Sequence, residues 1–269
     1  YAGITWAADN GCKIINCSWG GPGGGSYGQN IIDYAVINKN CLIIAGAGND
    51  GLDQQFWPGS YNNVYRCAST TNTDARSGFS DYGNDVDFCA PGSNIYSTSS
   101  GTGYGPSSGT SMASPVAAGA AGLVQSRFKY TDIGSGFQIG ERLKQTCDPL
   151  SAALFTQGKL GKGRIDVGNA VSTSVTAKSI IMNPITVTDG NDKVFMPGET
   201  LNITGTFTNY LDPSSSSASA VLTIVSGPGT ITNGNFPIVA LTTLATTNNN
   251  SSPFTVLVSS SAAINTVVQ

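Results

Sequence analysis

The stretch Ser108-Gly-Thr-Ser-Met-Ala-Ser-Pro-Val-Ala-Ala-Gly119 sets a serine, Ser111, ahead of a run of small residues. At the start of a helix, unsatisfied backbone N–H groups and the positive end of the macrodipole stabilise negative charge developing nearby. Pro115 suits that placement, because early in a helix its missing N–H costs little. Ser111 then has two readings, a nucleophile for acyl transfer or an ordinary N-cap. The first needs a base to take the hydroxyl proton, usually histidine, and the sequence contains 0 histidines.

A second group is Gly46-Ala47-Gly48-Asn49-Asp50-Gly51, directly after the apolar run Cys41 to Ala45. It reads as a glycine-rich turn at the carboxyl end of a strand, where open α/β sheets place their sites. The Asn49 amide can donate to an oxyanion; alternatively, asparagine is there because it tolerates a left-handed turn.

The elements that must position these groups follow from the apolar pattern. Lys13 to Trp19, Cys41 to Ala45, Val64 to Ala68 and Val86 to Ala90 read as strands, and their near-continuous apolar character suits a parallel sheet covered on both faces. Helices fit Ile4 to Asn10, Asn30 to Asn38, Ser111 to Phe128 and Phe137 to Thr146. The sum is an α/β layered domain. The opening helix, stopped by Gly11, arrives with no strand before it, and the chain opens on Tyr1 without a signal segment. Part of the sheet is therefore expected to lie ahead of Tyr1.

Beyond about Ser172 helix patterns vanish and Ser, Thr, Asn and Val dominate. Leu201 to Thr208 and Ser219 to Ile224 alternate with period two between turn signals, which predicts an antiparallel β-sandwich module, read as incomplete at Gln269. The expected division is thus residues 1–172 and 173–269. That module carries no catalytic constellation and reads as a spacer or accessory domain.

Composition excludes several classes. A formal charge of −3 with 11% charged residues gives no basic field for nucleic acid or an anionic membrane. The longest apolar runs fall far short of the roughly 20 residues a bilayer span needs. The six cysteines, Cys12, Cys17, Cys41, Cys67, Cys89 and Cys147, read either as buried thiols or as a disulfide framework. None has zinc-ligand spacing.

Taken with the order of their neighbours, these residues resemble the subtilisin-like serine proteases, the subtilases. The matching blocks are Asn16 to Gly21 (NCSWGG), Ala45 to Gly51 (AGAGNDG), Phe79 to Gly83 (FSDYG), Cys89 to Gly92 (CAPG), Gly109 to Pro115 (GTSMASP) and Gly161 to Asp166 (GKGRID). The resemblance covers about residues 1–171 and implies a three-layer fold with a mostly parallel sheet. It implies that Ser111 is the acylating nucleophile and that the Asn49 side chain and the Ser111 N–H form the oxyanion hole. Ser18, Trp19 and Gly20 would pair by their backbone with an extended polypeptide substrate. Ala45, Gly46, Ala47 and Gly48 would line the pocket for the residue before the scissile bond. Phe56-Trp57-Pro58 would join that pocket, in a loop shorter than in familiar members, which leaves the side-chain preference open.

The same resemblance implies no cofactor for the chemistry and a secreted, monomeric enzyme. It also implies structural calcium; Asp50, Asp53, Asp74, Asp81, Asp85 and Asp87 offer hard oxygen ligands, without a spacing that assigns a site. The family's triad runs Asp, His, Ser, with the histidine about 150 residues before the serine. Only 110 residues precede Ser111 here, so both partners are expected ahead of Tyr1, and residues 1–269 alone are expected to be inactive. Two rivals remain. The sedolisins use a glutamate in place of histidine, but it precedes their serine, whereas Glu141 and Glu199 both follow Ser111. A pseudoprotease retained for binding has no physical need for Ser111 and Asn49, yet both are intact.

Overall fold

The computed structural model describes residues 1–101, 103–131, 134–151, 153–192, 194–214, 218–263 and 268. Gln269, at which the β module is expected to break off, lies outside them. Contacts divide the chain into two compact units, Tyr1–Ala177 and Lys178–Gln269.

In the first unit the apolar runs become β1 (Ile14–Cys17), β2 (Leu42–Gly46), β3 (Tyr65–Thr70) and β4 (Phe88–Pro91), in the order β1-β2-β3-β4. All three pairings are parallel. Every residue of β2 and of β3 is buried, as expected for central strands covered on both faces. Helix α1 (Ala2–Asp9) precedes β1, and α2 (Ser26–Asp33) lies between β1 and β2. After β4 come the hairpin β5 (Ile95–Thr98) and β6 (Tyr104–Ser107), the long helix α3 (Thr110–Phe128) and α4 (Ser135–Gln145).

On one face of the sheet Leu42, Ile44, Cys67, Phe88 and Ala90 pack with Ala113, Ala117, Ala120, Ala121 and Val124 of α3 and Ile139 and Leu143 of α4. On the other face lie Ala47, Ala68, Val86, Cys89, Leu150 and Leu160. The alanines let α3 lie close to the sheet, and the approach is tight at its first residue. A Cβ on Gly46 would come within 3.0 Å of Thr110 Oγ1.

The observed elements depart from expectation at their ends. The first strand stops at Cys17 rather than Trp19, and the backbone carbonyl of Ser18 accepts from Ser111 Oγ of α3. Helix α2 starts earlier than Asn30 and passes at Tyr34–Asn38 into one wider π turn. Gly11, at φ 83°, ends α1 in the left-handed region. The hairpin β5–β6 is not legible in the sequence, since IYST and YGPS lack the apolar alternation of a half-buried strand.

The second unit is all β: β7 (Ile180–Thr188), β8 (Thr200–Asn209), β9 (Ala218–Val221), β10 (Gly229–Asn233), β11 (Asn235–Ile238), β12 (Thr246–Asn248) and β13 (Phe254–Val258). One sheet runs β10-β13-β8-β12 with β7 also on β8, and β9 pairs β11 separately. All these pairings are antiparallel. Phe207 and Phe254 of the larger sheet share a core with Ile238 of the smaller, and Phe236 stacks on Phe207 at 5.3 Å, so the two sheets meet as layers.

Candidate active site

Parallel strands deliver their carboxyl ends to one edge of a sheet, and here that edge meets the start of α3. Asn49 follows β2 by three residues, and its Oδ1 accepts hydrogen bonds from Thr110 N (2.9 Å) and Thr110 Oγ1 (3.1 Å). The backbone N–H of Thr110 can only donate, so the atom facing it is the amide oxygen, and the Asn49 NH2 is the end left to donate elsewhere. The left-handed-turn reading of Asn49 fails, because Gly48 (φ 110°) and Gly51 (φ 73°) take the positive angles and Asn49 does not.

The first turn of α3 completes this arrangement. Met112 N and Ala113 N close onto Gly109 O at 3.0 and 3.3 Å, and Thr110 N is taken by Asn49. Ser111 N is the one N–H of that turn left without an acceptor among the described residues. A Cβ on Gly109 would lie 3.6 Å from Ser111 N and 3.7 Å from Asn49 Oδ1, so both groups border the same glycine. Ser111 is the second residue of the helix, with Gly109 as N-cap, which removes the N-cap reading.

The Ser111 hydroxyl donates to Ser18 O at 3.2 Å, its one hydrogen-bond partner among the described residues. In return Ser18 Oγ donates to Ser111 O (2.8 Å), lies 3.2 Å from Ser114 Oγ and accepts from Asn16 Nδ2 (2.8 Å). The Ser18 side chain therefore ties β1 to α3. Gly21 is paired with Trp57 through two backbone bonds of 2.9 and 3.0 Å, and Trp19, 46% exposed, meets Tyr1 edge to face.

Across from residues 18–20 stands Ala45-Gly46-Ala47-Gly48, all buried. Its exit loop is held by Asp81, which is fully buried and accepts from Asp50 N (2.9 Å), Leu52 N (3.0 Å) and Gln54 Nε2 (3.0 Å). From below, the buried Arg66 guanidinium donates to the carbonyls of Ala47 and Gln54 and pairs with Asp85. On the far side of Ser111 a cleft of about 600 Å³ opens between the hairpin (Ser97, Gly105, Pro106) and α3 (Met112, Pro115, Val116).

The six aspartates offered for calcium do not assemble into a site. Asp50 holds Gln54, Asp53 holds Lys159, Asp74 holds Arg164, Asp81 holds backbone N–H groups, Asp85 holds Arg66 and Asp87 holds Lys144. Among the described residues no cluster of three or more His, Cys, Asp or Glu side chains could hold a metal. All six cysteines are free thiols, four of them buried. Burial pushes the Cys17 and Cys147 thiols up to about 12, so neither is a thiolate near neutral pH. Among the described residues no helix is long and apolar enough to cross a membrane.

Three residues that position the site do not stand out for that role in the sequence. Thr110 sits inside the serine motif, Asp81 reads as a calcium ligand and Phe56 as generic pocket lining. Each acts through a contact more than 25 positions away, which local pattern does not carry.

The chain also resembles proteins already known. The chain is 42% identical to thermitase of Thermoactinomyces vulgaris over 169 residues, which is 63% of this chain and 57% of that protein. It is 34% identical to a subtilisin of Bacillus pumilus over 169 residues, 61% of this chain and 58% of that one. A solved protease structure from Pseudoalteromonas arctica superposes with a TM-score of 0.57 at 30% identity, covering 63% of this chain and 56% of the other. The chain thus spans between 56 and 58% of the length of these three relatives. The model of the subtilase family matches residues 1–175, and the chain belongs to that serine-protease family.

Proposed function

We propose that residues 1–172 form the serine-bearing part of an endopeptidase domain that cleaves peptide bonds through an acyl-enzyme on Ser111. Residues 173–269 would be its accessory β module. One observation supports this most: Thr110 turns the Asn49 amide so that, among the described residues, its NH2 meets no acceptor and Ser111 N is the one unsatisfied N–H of the same helix turn. Two donors kept free beside a hydroxyl match what a tetrahedral oxyanion requires.

In this reading an extended polypeptide lies along Ser18-Trp19-Gly20, and its scissile carbonyl oxygen rests on Asn49 and Ser111 N. Ser111 Oγ leaves Ser18 O, attacks the carbonyl carbon and gives its proton to a base. That proton passes to the leaving amine as the acyl-enzyme forms, and water then releases the acyl group. No histidine occurs in residues 1–269, and neither glutamate bonds to Ser111, so the base comes from a segment outside this sequence. Two features suit a docked segment. Among the described residues β1 pairs only with β2, and the face of α3 bearing Pro115, Gly119 and Leu123 is exposed. We place the enzyme outside the cell as a monomer, by likeness to the subtilisins.

The deciding experiment is to read the coding sequence ahead of the Tyr1 codon and to expose the whole protein to a fluorophosphonate probe. A frame continuing through an Asp-bearing strand and a His-bearing helix, with Ser111 labelled, supports the peptidase. A frame opening just ahead of Tyr1, with Ser111 unlabelled, replaces it with a binding scaffold.

A further inference from the structure

Residues 18–20 and 46–49 flank Ser111 as two walls, the first through Ser18 O and the second through Asn49 and Thr110. Each wall carries a glycine beside the same aromatic residue, Gly20 on one and Gly48 on the other. What stands between them is the ring of Phe56. A Cβ on Gly20 would fall 2.3 Å from Phe56 Cε1 and 2.4 Å from Trp57 O, and one on Gly48 would meet Asp81 Oδ2 at 2.1 Å and Phe56 Cγ at 3.1 Å. One benzyl group therefore touches both glycines.

The ring is anchored there. Phe56 N donates to Ser60 Oγ at 2.9 Å and Ser60 N to Phe56 O at 3.1 Å, closing a tight turn. The next residue, Trp57, is the one bonded twice to Gly21 at the end of the opposite wall. Phe56 is half-buried.

The position of the slot says which substrate residue meets it. The residue whose carbonyl oxygen rests on Asn49 bears its side chain on the Cα next to that carbonyl, which in this reading sets it against the Gly46–Gly48 wall that leads into Asn49. In the same reading the leaving amine takes the other side of Ser111, where Met112 and the hairpin line a cleft. Building on the peptidase reading of Ser111, we propose that Phe56 plugs this slot and restricts the residue donating the scissile carbonyl to small side chains: glycine, alanine or serine. A larger side chain must displace a ring already in contact with both walls, and packed sites resist added volume. A single methylene in such a pocket changes discrimination by about 10–200-fold, and a phenyl group adds several carbons.

The test is a kcat/KM profile of the whole protein, with its base present, on peptide p-nitroanilides differing only in that residue: Gly, Ala, Ser, Leu or Phe. The expected result is alanine over phenylalanine by at least about 100-fold, with that ratio falling at least about 10-fold in Phe56→Gly. A flat or Phe-favouring wild-type profile overturns the inference, and it does so even if Phe56→Gly fails to fold. Phe56→Ala gives a milder variant for the same ratio. Hydrolysis that is lost in Ser111→Ala but indifferent to the varied residue sinks the role of Phe56 alone. No hydrolysis of any peptide and no labelling of Ser111 sinks the peptidase reading, and this inference with it.

Discussion

Two hollows of similar size differ in what they can do. The cleft at Ser111, about 600 Å³, is lined by the hairpin, by Ser111 itself and by the first turns of α3, and Asn49 meets Thr110 at the head of that helix. The recess in the second unit, about 530 Å³, is lined by Val187, Leu201, Ile203, Val256, Val258 and other apolar side chains. The difference traces to sheet topology. In the first unit every strand of the main sheet runs the same way, so the loops after β1 and β2 leave from one edge and bring Ser18 and Asn49 together at α3. In the second unit neighbouring strands run oppositely, so their exit loops divide between two ends. Volume marks a hollow; converging polar groups mark a site.

The strongest way to break this contrast is Ser111→Ala in the protein with its base. Peptide hydrolysis should fall about 10⁶-fold, the size found for the matching change in a subtilisin. That is roughly 8 kcal/mol of transition-state stabilisation. In the second unit the largest expected effect is on stability instead. Phe207→Ala removes a ring that is 3% exposed and should cost about 3–5 kcal/mol in denaturant unfolding, without altering how Ser111 reacts.

Asn49→Ala comes next, with turnover expected to drop about 10²–10³-fold and KM little changed; the magnitude is the one known for the oxyanion donor of a subtilisin, carried over to the matching residue. Thr110→Val sharpens the assignment. It keeps the N–H to Asn49 and loses the Oγ1 contacts with Asn49 Oδ1 and with the buried Gly48 N–H, so a loss of about 1–3 kcal/mol is expected. If Thr110 works by turning Asn49, the double variant should be no slower than Asn49→Ala; additive losses would refute that coupling.

The smallest effect is predicted at Asp9, whose carboxyl is held below its ordinary range by hydrogen bonds from Lys39 and Tyr34. A pKa lower in the folded state means that its contribution is present above the unfolded pKa and lost as pH falls through the folded value. Melting curves of Asp9→Asn and wild type should therefore converge in acid, below about pH 4. The difference at neutral pH should be slight and should shrink with salt, since the pair is exposed.

Much of the first unit is legible in the sequence because its strands are continuous apolar runs and its long helix is a run of small residues. Lys13 to Trp19 and Ser111 to Phe128 each match an element to within two residues at either end. The hairpin beside Ser111 escapes notice because its serines and glycines carry no periodicity. In the second unit Leu201 to Thr208 is readable from its alternation, while Ser219 to Ile224 ends three residues early, at Val221.

By itself, the sequence determined that Ser111 opens a helix, that Asn49 leaves a buried strand, and that 0 histidines are present to serve as base. These are matters of composition and local period. Only the tertiary structure decided which end of the Asn49 amide is free, because the answer lies in Thr110, 61 positions away. Only it decided that Phe56 stands between Gly20 and Gly48, three segments that no local pattern links. The physical reason is the same in both cases. Periodicity encodes which face of an element is buried, whereas the partner of a donor or a ring depends on where separate strands and loops come to rest.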